Sequence, residues 1–150
     1  MLKFTCIYMD NCCFNRPFDD QTQLKVRFES EAKLFIQDSI KKGALKLVWS
    51  YILDMENDEN PFPIRKEAIA QWSSIASEFI LKNERIEIKA RMLQKLGLRP
   101  KDALHLSCAI EASCDAFITT DKKILTKKDM IEEITIISPI DFFDVELEEE

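Results

Sequence analysis

The chain has 150 residues, 46% of them hydrophobic and 32% charged, the balance of an ordinary globular domain large enough to bury a core without disulfide or metal staples. No apolar run approaches the roughly 20 residues a membrane span needs, and the N-terminus lacks the pattern of a secretion signal, so a cytoplasmic setting is expected. The formal charge is −6, yet six of the 27 acids and no base stand in the last ten residues; the 21 acids left equal the 21 bases, so any polyanion must be met by a local arrangement of charge.

Residues 4–9 form a short, nearly continuous apolar run closed by Asp10 and Asn11, the pattern of a strand buried on both faces. Over residues 21–42, Leu24, Phe28, Ala32, Phe35, Ile36 and Ile40 recur at helical spacing, and Gly43 follows as a stop. A second strand is predicted at 45–49. Ser50 then caps a short helix carrying Asp54 and Glu56, which Asn60-Pro61 and Pro63 break. Ala68, Ile69, Trp72, Ile75, Ala76 and Phe79 predict a single amphipathic helix. Further helices are predicted at 84–96, ended by Gly97, and at 100–113, opened by Pro100 with Asp102 in the first turn. Residues 116–119 make a third strand closed by Thr120 and Asp121. A lysine-rich helical turn follows, then a last strand at 134–137 before Pro139.

Strands separated by helices imply a mainly parallel sheet. One domain is expected over residues 1–144, and an acidic tail over 145–150 that stays disordered because its charges repel and it carries little apolar surface. Two glycines leave no glycine-rich phosphate loop. The cysteines Cys6, Cys12, Cys13, Cys108 and Cys114 lack zinc-ligand spacing, and their odd number argues against a disulfide framework.

Ligands of open parallel sheets sit beyond the carboxyl ends of the strands. Asp10 ends the first strand, Asp121 ends the third, Glu56 lies one short helix beyond the second, and Asp102 opens the helix leading into the third. If these acids converge, their mutual repulsion is uncompensated until a cation arrives. Hard oxygen donors suit Mg²⁺ or Mn²⁺, which activate water and stabilise charge in phosphodiester chemistry. Taken singly, each acid is better read as a turn former, a helix cap or a solvated side chain, so spacing alone does not settle the matter.

The sequences at 8–20 (YMDNCCFNRPFDD), 50–56 (SYILDME), 101–109 (KDALHLSCA) and 115–121 (DAFITTD) resemble, in order, those of PIN-domain proteins over nearly the whole chain. The resemblance implies a three-layer α/β/α fold with a central, mainly parallel sheet. It further implies a metal-dependent endoribonuclease leaving a 5′-phosphate, most often the toxin of a toxin-antitoxin pair. Asp10, Asp102 and Asp121 take the places of the family's first, third and fourth acids. Glu56 matches the second, although Asp54, Asp58 and Glu59 crowd the same stretch. Asn11 stands where a threonine or serine is common, and Thr119 matches the hydroxyl residue before the last acid; both are candidates to support the metal ligands. The implied cofactor is Mg²⁺ or Mn²⁺, and the implied partners are an RNA substrate, a cognate antitoxin and a second copy of the chain, with no membrane.

Three other readings compete. A PIN domain that binds RNA or protein with little catalysis fits the same residues. A hydrolase using Cys108 and His105 lacks a visible oxyanion site, so His105 is expected in the core beside the site. Phosphate transfer through an aspartyl intermediate wants a second acid near Asp10, which Asn11-Cys12 does not supply. Arg16, Arg99, Lys101, Lys122 and Lys123 are candidates to meet RNA phosphates, or else solvated helix ends.

Overall fold

In β1 (Cys6–Met9), Ile7, Tyr8 and Met9 are all fully buried, so the strand is covered on both faces, as its unbroken apolar run predicts. The structure is a computed structural model and describes residues 3–147. After β1 come α1 (Asn11–Asn15), a tight 3-10 turn at Arg16–Phe18, α2 (Leu24–Lys41), β2 (Lys46–Ser50) and α3 (Tyr51–Asp58). Then follow α4 (Pro63–Ala70), α5 (Trp72–Ile75), β3 (Glu78–Ile80), α6 (Glu84–Gln94) and α7 (Pro100–Glu111). The chain closes with β4 (Ala116–Ile118), α8 (Lys122–Leu125), a 3-10 turn at Lys128–Met130, β5 (Thr135–Ile137) and α9 (Pro139–Leu147).

The sheet runs β3-β2-β1-β4-β5 and every neighbouring pair is parallel. Parallel crossovers are right-handed, so the connections moving from β1 to β2 to β3 carry their helices on one face, and those reaching β4 and β5 carry theirs on the other. The packing agrees: α2 lies against α9, and α6 against α7. The result is the expected three-layer α/β/α fold with a central parallel sheet. Tyr8, Phe14, Trp49, Phe117 and Phe142 are fully buried within it, and each such ring contributes about 2–3 kcal/mol by leaving water. No described helix is long and apolar enough to cross a membrane.

Local signals place the element ends. Ser50 Oγ accepts from the Leu53 amide and so caps α3, and Pro100 occupies the first turn of α7. Gly43, at φ +80°, takes the left-handed turn that ends α2.

Two expectations differ from the fold. The helix expected from Ala68 to Phe79 is α4 and α5, with Phe79 in the edge strand β3. The backbone leaves the helix at Ala76 (φ −65°, ψ 142°), where parallel pairing of residues 78–80 with β2 supplies hydrogen bonds that a further helical turn would have had to make alone. The second concerns the acidic end. Residues 145–147 are not disordered: they complete α9, and the buried Glu146 carboxylate accepts from the Lys3 amide (2.8 Å) and the Phe4 amide (3.0 Å). Residues 148–150 of the expected tail lie outside the described residues.

Candidate metal centre

The strand order reverses at β1: β2 lies on one side and β4 on the other, with helices on opposite faces. At such a switch point ligands sit beyond the carboxyl ends of the two flanking strands, here β1 and β4. Asp10 and Asp121 stand there, because each follows its strand closely and caps the next helix. Asp10 Oδ1 accepts from the Asn11 amide (2.8 Å) at the start of α1, and Asp121 Oδ1 accepts from the Lys123 amide (2.9 Å) at the start of α8. Thr119 ties the two together: its hydroxyl donates to Asp10 Oδ2 (2.9 Å) and accepts from the Asp121 amide (3.0 Å).

α3 and α7 bring Glu56 and His105 to the same place. Ligand atoms of Asp10, Glu56 and His105 all lie within 4.8 Å of one another. His105 Nε2 contacts Glu56 Oε1 and stands 3.9 Å from Asp10 Oδ1, while its Nδ1 meets the Tyr8 hydroxyl at 2.6 Å. Tyr8 in turn lies 2.5 Å from Ser50 Oγ. Burial holds the Asp10 carboxyl above the usual carboxylate range; His105 and the Thr119 hydrogen bond oppose the rise, and the Glu56 and Asp102 charges add to it. A buried carboxylate with acidic neighbours and a histidine nitrogen a few ångströms away is a donor set that fits a divalent cation.

Asp102 and Asp121 do not belong to that group. They are joined through Arg99, whose Nε donates to Asp102 Oδ2 (2.6 Å) while its Nη2 donates to Asp121 Oδ2. The repulsion expected of four bare acids is thus answered on this side by the chain's own cation, which corrects the view that only a metal compensates them.

The crowded stretch around Glu56 separates in space. Asp54 accepts from Trp49 Nε1 (2.8 Å), Glu59 faces Lys101 (3.5 Å), and Glu56 is the acid that reaches the cluster. Asn11 supports Asp10 through its backbone amide and not its side chain, whose Oδ1 is buried without a partner. Of the basic candidates, Arg16 pairs with Asp19 and Glu29 (both 3.2 Å), Arg99 with Asp102 and Asp121, and Lys101 with Glu59. Lys122 and Lys123, on α8, are exposed and have no ion pair among the described residues.

Tyr8 and Ser50 carry no mark of a site residue in the sequence, and His105, expected beside the site, faces Glu56 and Asp10 directly. The available signal for His105 was its position one turn after Asp102 on the same helix. Cys12 also touches the site, its Sγ 3.6 Å from Asp10 Oδ2. All five cysteines are free.

No protein-family model and no curated protein matches the chain. Among solved structures it is similar to a chain of "VapBC2 from Rickettsia felis bound to a DNA fragment from their promoter", with a TM-score of 0.56 and 11% identity, over 89% of this chain and 98% of that one. At that identity the likeness is one of fold, and it establishes that this chain has a PIN-like α/β fold.

Proposed function

We propose that the chain is a Mg²⁺- or Mn²⁺-dependent endoribonuclease acting as the toxin of a toxin-antitoxin pair, with RNA as substrate and an antitoxin protein as partner. The observation that carries this reading is the convergence of Asp10, Glu56 and His105 at the switch point of a PIN-like sheet. The likeness to a VapBC2 chain supports the toxin assignment. Asp10, Glu56 and His105 would hold the cation, with Asp102 and Asp121, paired with Arg99, beside them. A bound Mg²⁺ or Mn²⁺ would supply Lewis-acid activation of water and stabilise charge on the phosphodiester oxygens.

The chain's own groups do the rest. Thr119, the Asn11 amide and Cys12 fix the Asp10 carboxylate, so its two oxygens keep one orientation. Tyr8 and Ser50 hold the His105 ring from behind. Lys122 and Lys123 lie exposed directly after Asp121 and offer positive charge to an RNA backbone.

A second reading, a PIN domain that binds RNA or protein with little catalysis, is favoured by one feature: Arg99 already engages two of the four acids. Incubation of the protein with a single-stranded and a looped RNA, with Mg²⁺, with Mn²⁺ and with chelator, separates the two. The nuclease reading expects cleavage with either metal, 5′-phosphate ends, and none with chelator. Binding without cleavage at saturating Mn²⁺ would establish the second reading, and cleavage that survives chelation would overturn the metal mechanism.

A further inference from the structure

We propose, on the metal-centre reading above, that Arg99 is a built-in counter-cation for the Asp102 and Asp121 half of the acid cluster, which a divalent cation must displace to gain those carboxylates. The cluster is divided in two. Asp10, Glu56 and His105 face one another with no arginine or lysine in an ion pair to them among the described residues, whereas one guanidinium bridges Asp102 and Asp121. A planar guanidinium presents several donors in a rigid fork, so it can satisfy two carboxylates at once as a lysine ammonium does less well. It reaches them because Arg99 is the residue just before α7, and its side chain folds back over the first turn, where Asp102 stands.

Two observations make this contact exchangeable and not a fixed strut. The Arg99 side chain is 53% exposed, so it can turn into water with little desolvation to reverse. Its partners differ in the same sense: Asp121 is more open than Asp102, at 23% against 11%, and the bridge therefore has a free outer side. A divalent cation entering at Asp10, Glu56 and His105 meets a like charge while Arg99 is docked. Recruiting Asp102 or Asp121 requires breaking a hydrogen bond from that guanidinium. Arg99 thus lowers metal affinity while protecting the metal-free fold, acting on the metal through the two aspartates.

Mn²⁺ binding to the wild type, Arg99→Gln, Arg99→Met and Arg99→Lys, read from the free Mn²⁺ spin-resonance signal, tests this, with thermal melts of the same proteins with and without the metal. Both neutral variants are expected to bind Mn²⁺ about tenfold tighter, the scale of one charge interaction at a few ångströms in water. Arg99→Lys, which keeps the charge but not the fork, should fall between the wild type and the neutral variants. Without metal the neutral variants should melt below the wild type, and saturating Mn²⁺ should close that gap, which a purely structural arginine would leave open. Unchanged or weaker Mn²⁺ binding by the folded neutral variants, with the wild type binding normally, overturns the role of Arg99 and leaves the metal centre standing. No Mn²⁺ binding by any of the four proteins overturns both.

Discussion

Tyr8 and His105 meet across the interior, hydroxyl oxygen to Nδ1 at 2.6 Å, joining the central strand to α7 directly behind the acid cluster. Burial raises the Tyr8 pKa well above its ordinary value, so the hydroxyl stays neutral. The tautomer that could hold a cation has Nδ1–H donating to Tyr8 and Tyr8 donating to Ser50 Oγ, which would free the Nε2 lone pair on the side of Glu56 and Asp10. Tyr8→Phe removes the acceptor that holds this tautomer. Mn²⁺ affinity measured by calorimetry should fall about 10- to 100-fold, the usual effect of losing the partner behind a metal-binding histidine. Undiminished affinity would place His105 outside the metal's ligands.

Asp10→Asn should abolish RNA cleavage and Mn²⁺ binding while leaving the metal-free protein as stable as the wild type or more so. Asp10 is 6% exposed, and burial raises its folded pKa above the unfolded value of 3.8. The folded state therefore holds the proton longer, and stability falls as pH rises from about the unfolded value through the folded one, remaining low at neutral pH. Asparagine keeps an oxygen for the Asn11 amide without the buried charge. Urea melts at pH 7 in chelator read the sign, and a clear loss of stability would show that the carboxylate is favourably placed even without metal.

Lys33 is a buried cation whose removal should stabilise the fold. It lies on the wall of a cleft of about 520 Å³ shared with Phe14, Leu34, Gln37, Ile69 and Trp72, only 3% exposed and without a carboxylate partner among the described residues. Its ammonium stands 5.3 Å from the Phe14 ring centre and 5.9 Å from that of Trp72. The Gln37 amide oxygen, in the orientation that satisfies both neighbours, accepts from Lys33 Nζ and from Trp72 Nε1 (2.9 Å).

Burial pulls the Lys33 amine from 10.5 down to about 7. Between those values the unfolded chain binds a proton that the folded chain releases, so this residue makes stability rise with pH across the window and leaves it lowest below pH 7. Lys33→Met should gain about 1–3 kcal/mol at pH 7, less than the full shift implies because the rings and Gln37 repay part of the burial. The gain should shrink toward pH 10. A gain independent of pH would mean that packing, not charge, is responsible.

Glu146→Ala, or removal of residues 145–150, should lower thermal stability, the reverse of what a disordered tail predicts. The Glu146 carboxylate takes both the Lys3 and Phe4 amides and so ties α9 to the chain entering β1. Leaving two amides without their acceptor should cost about 1–3 kcal/mol. A melting point unchanged by Glu146→Ala would show that water replaces the carboxylate fully.

Much of the architecture was legible because it rests on local pattern. The apolar run before Asp10, the capping Ser50, Pro100 at a helix start and Gly43 after α2 act within a turn or a strand, and the structure uses each of them in that way. Most of the order of strand and helix along the chain, and with it a parallel sheet, followed from them; the edge strand β3 and the helices α1 and α9 did not. The positions of Asp10 and Asp121 just beyond strands were legible too, since a strand end is a local event. Tertiary structure decided the partners. Whether Asp102 faces a cation or Arg99, whether His105 is a core residue or a neighbour of Glu56, and whether an acid near the C-terminus is solvated or buried against Phe4 each depend on groups far apart in sequence. A titratable side chain carries no sign of its partner in its neighbours along the chain. Its energy is set by the charges and donors that folding brings within a few ångströms, so the residues were readable from sequence and their pairing was not.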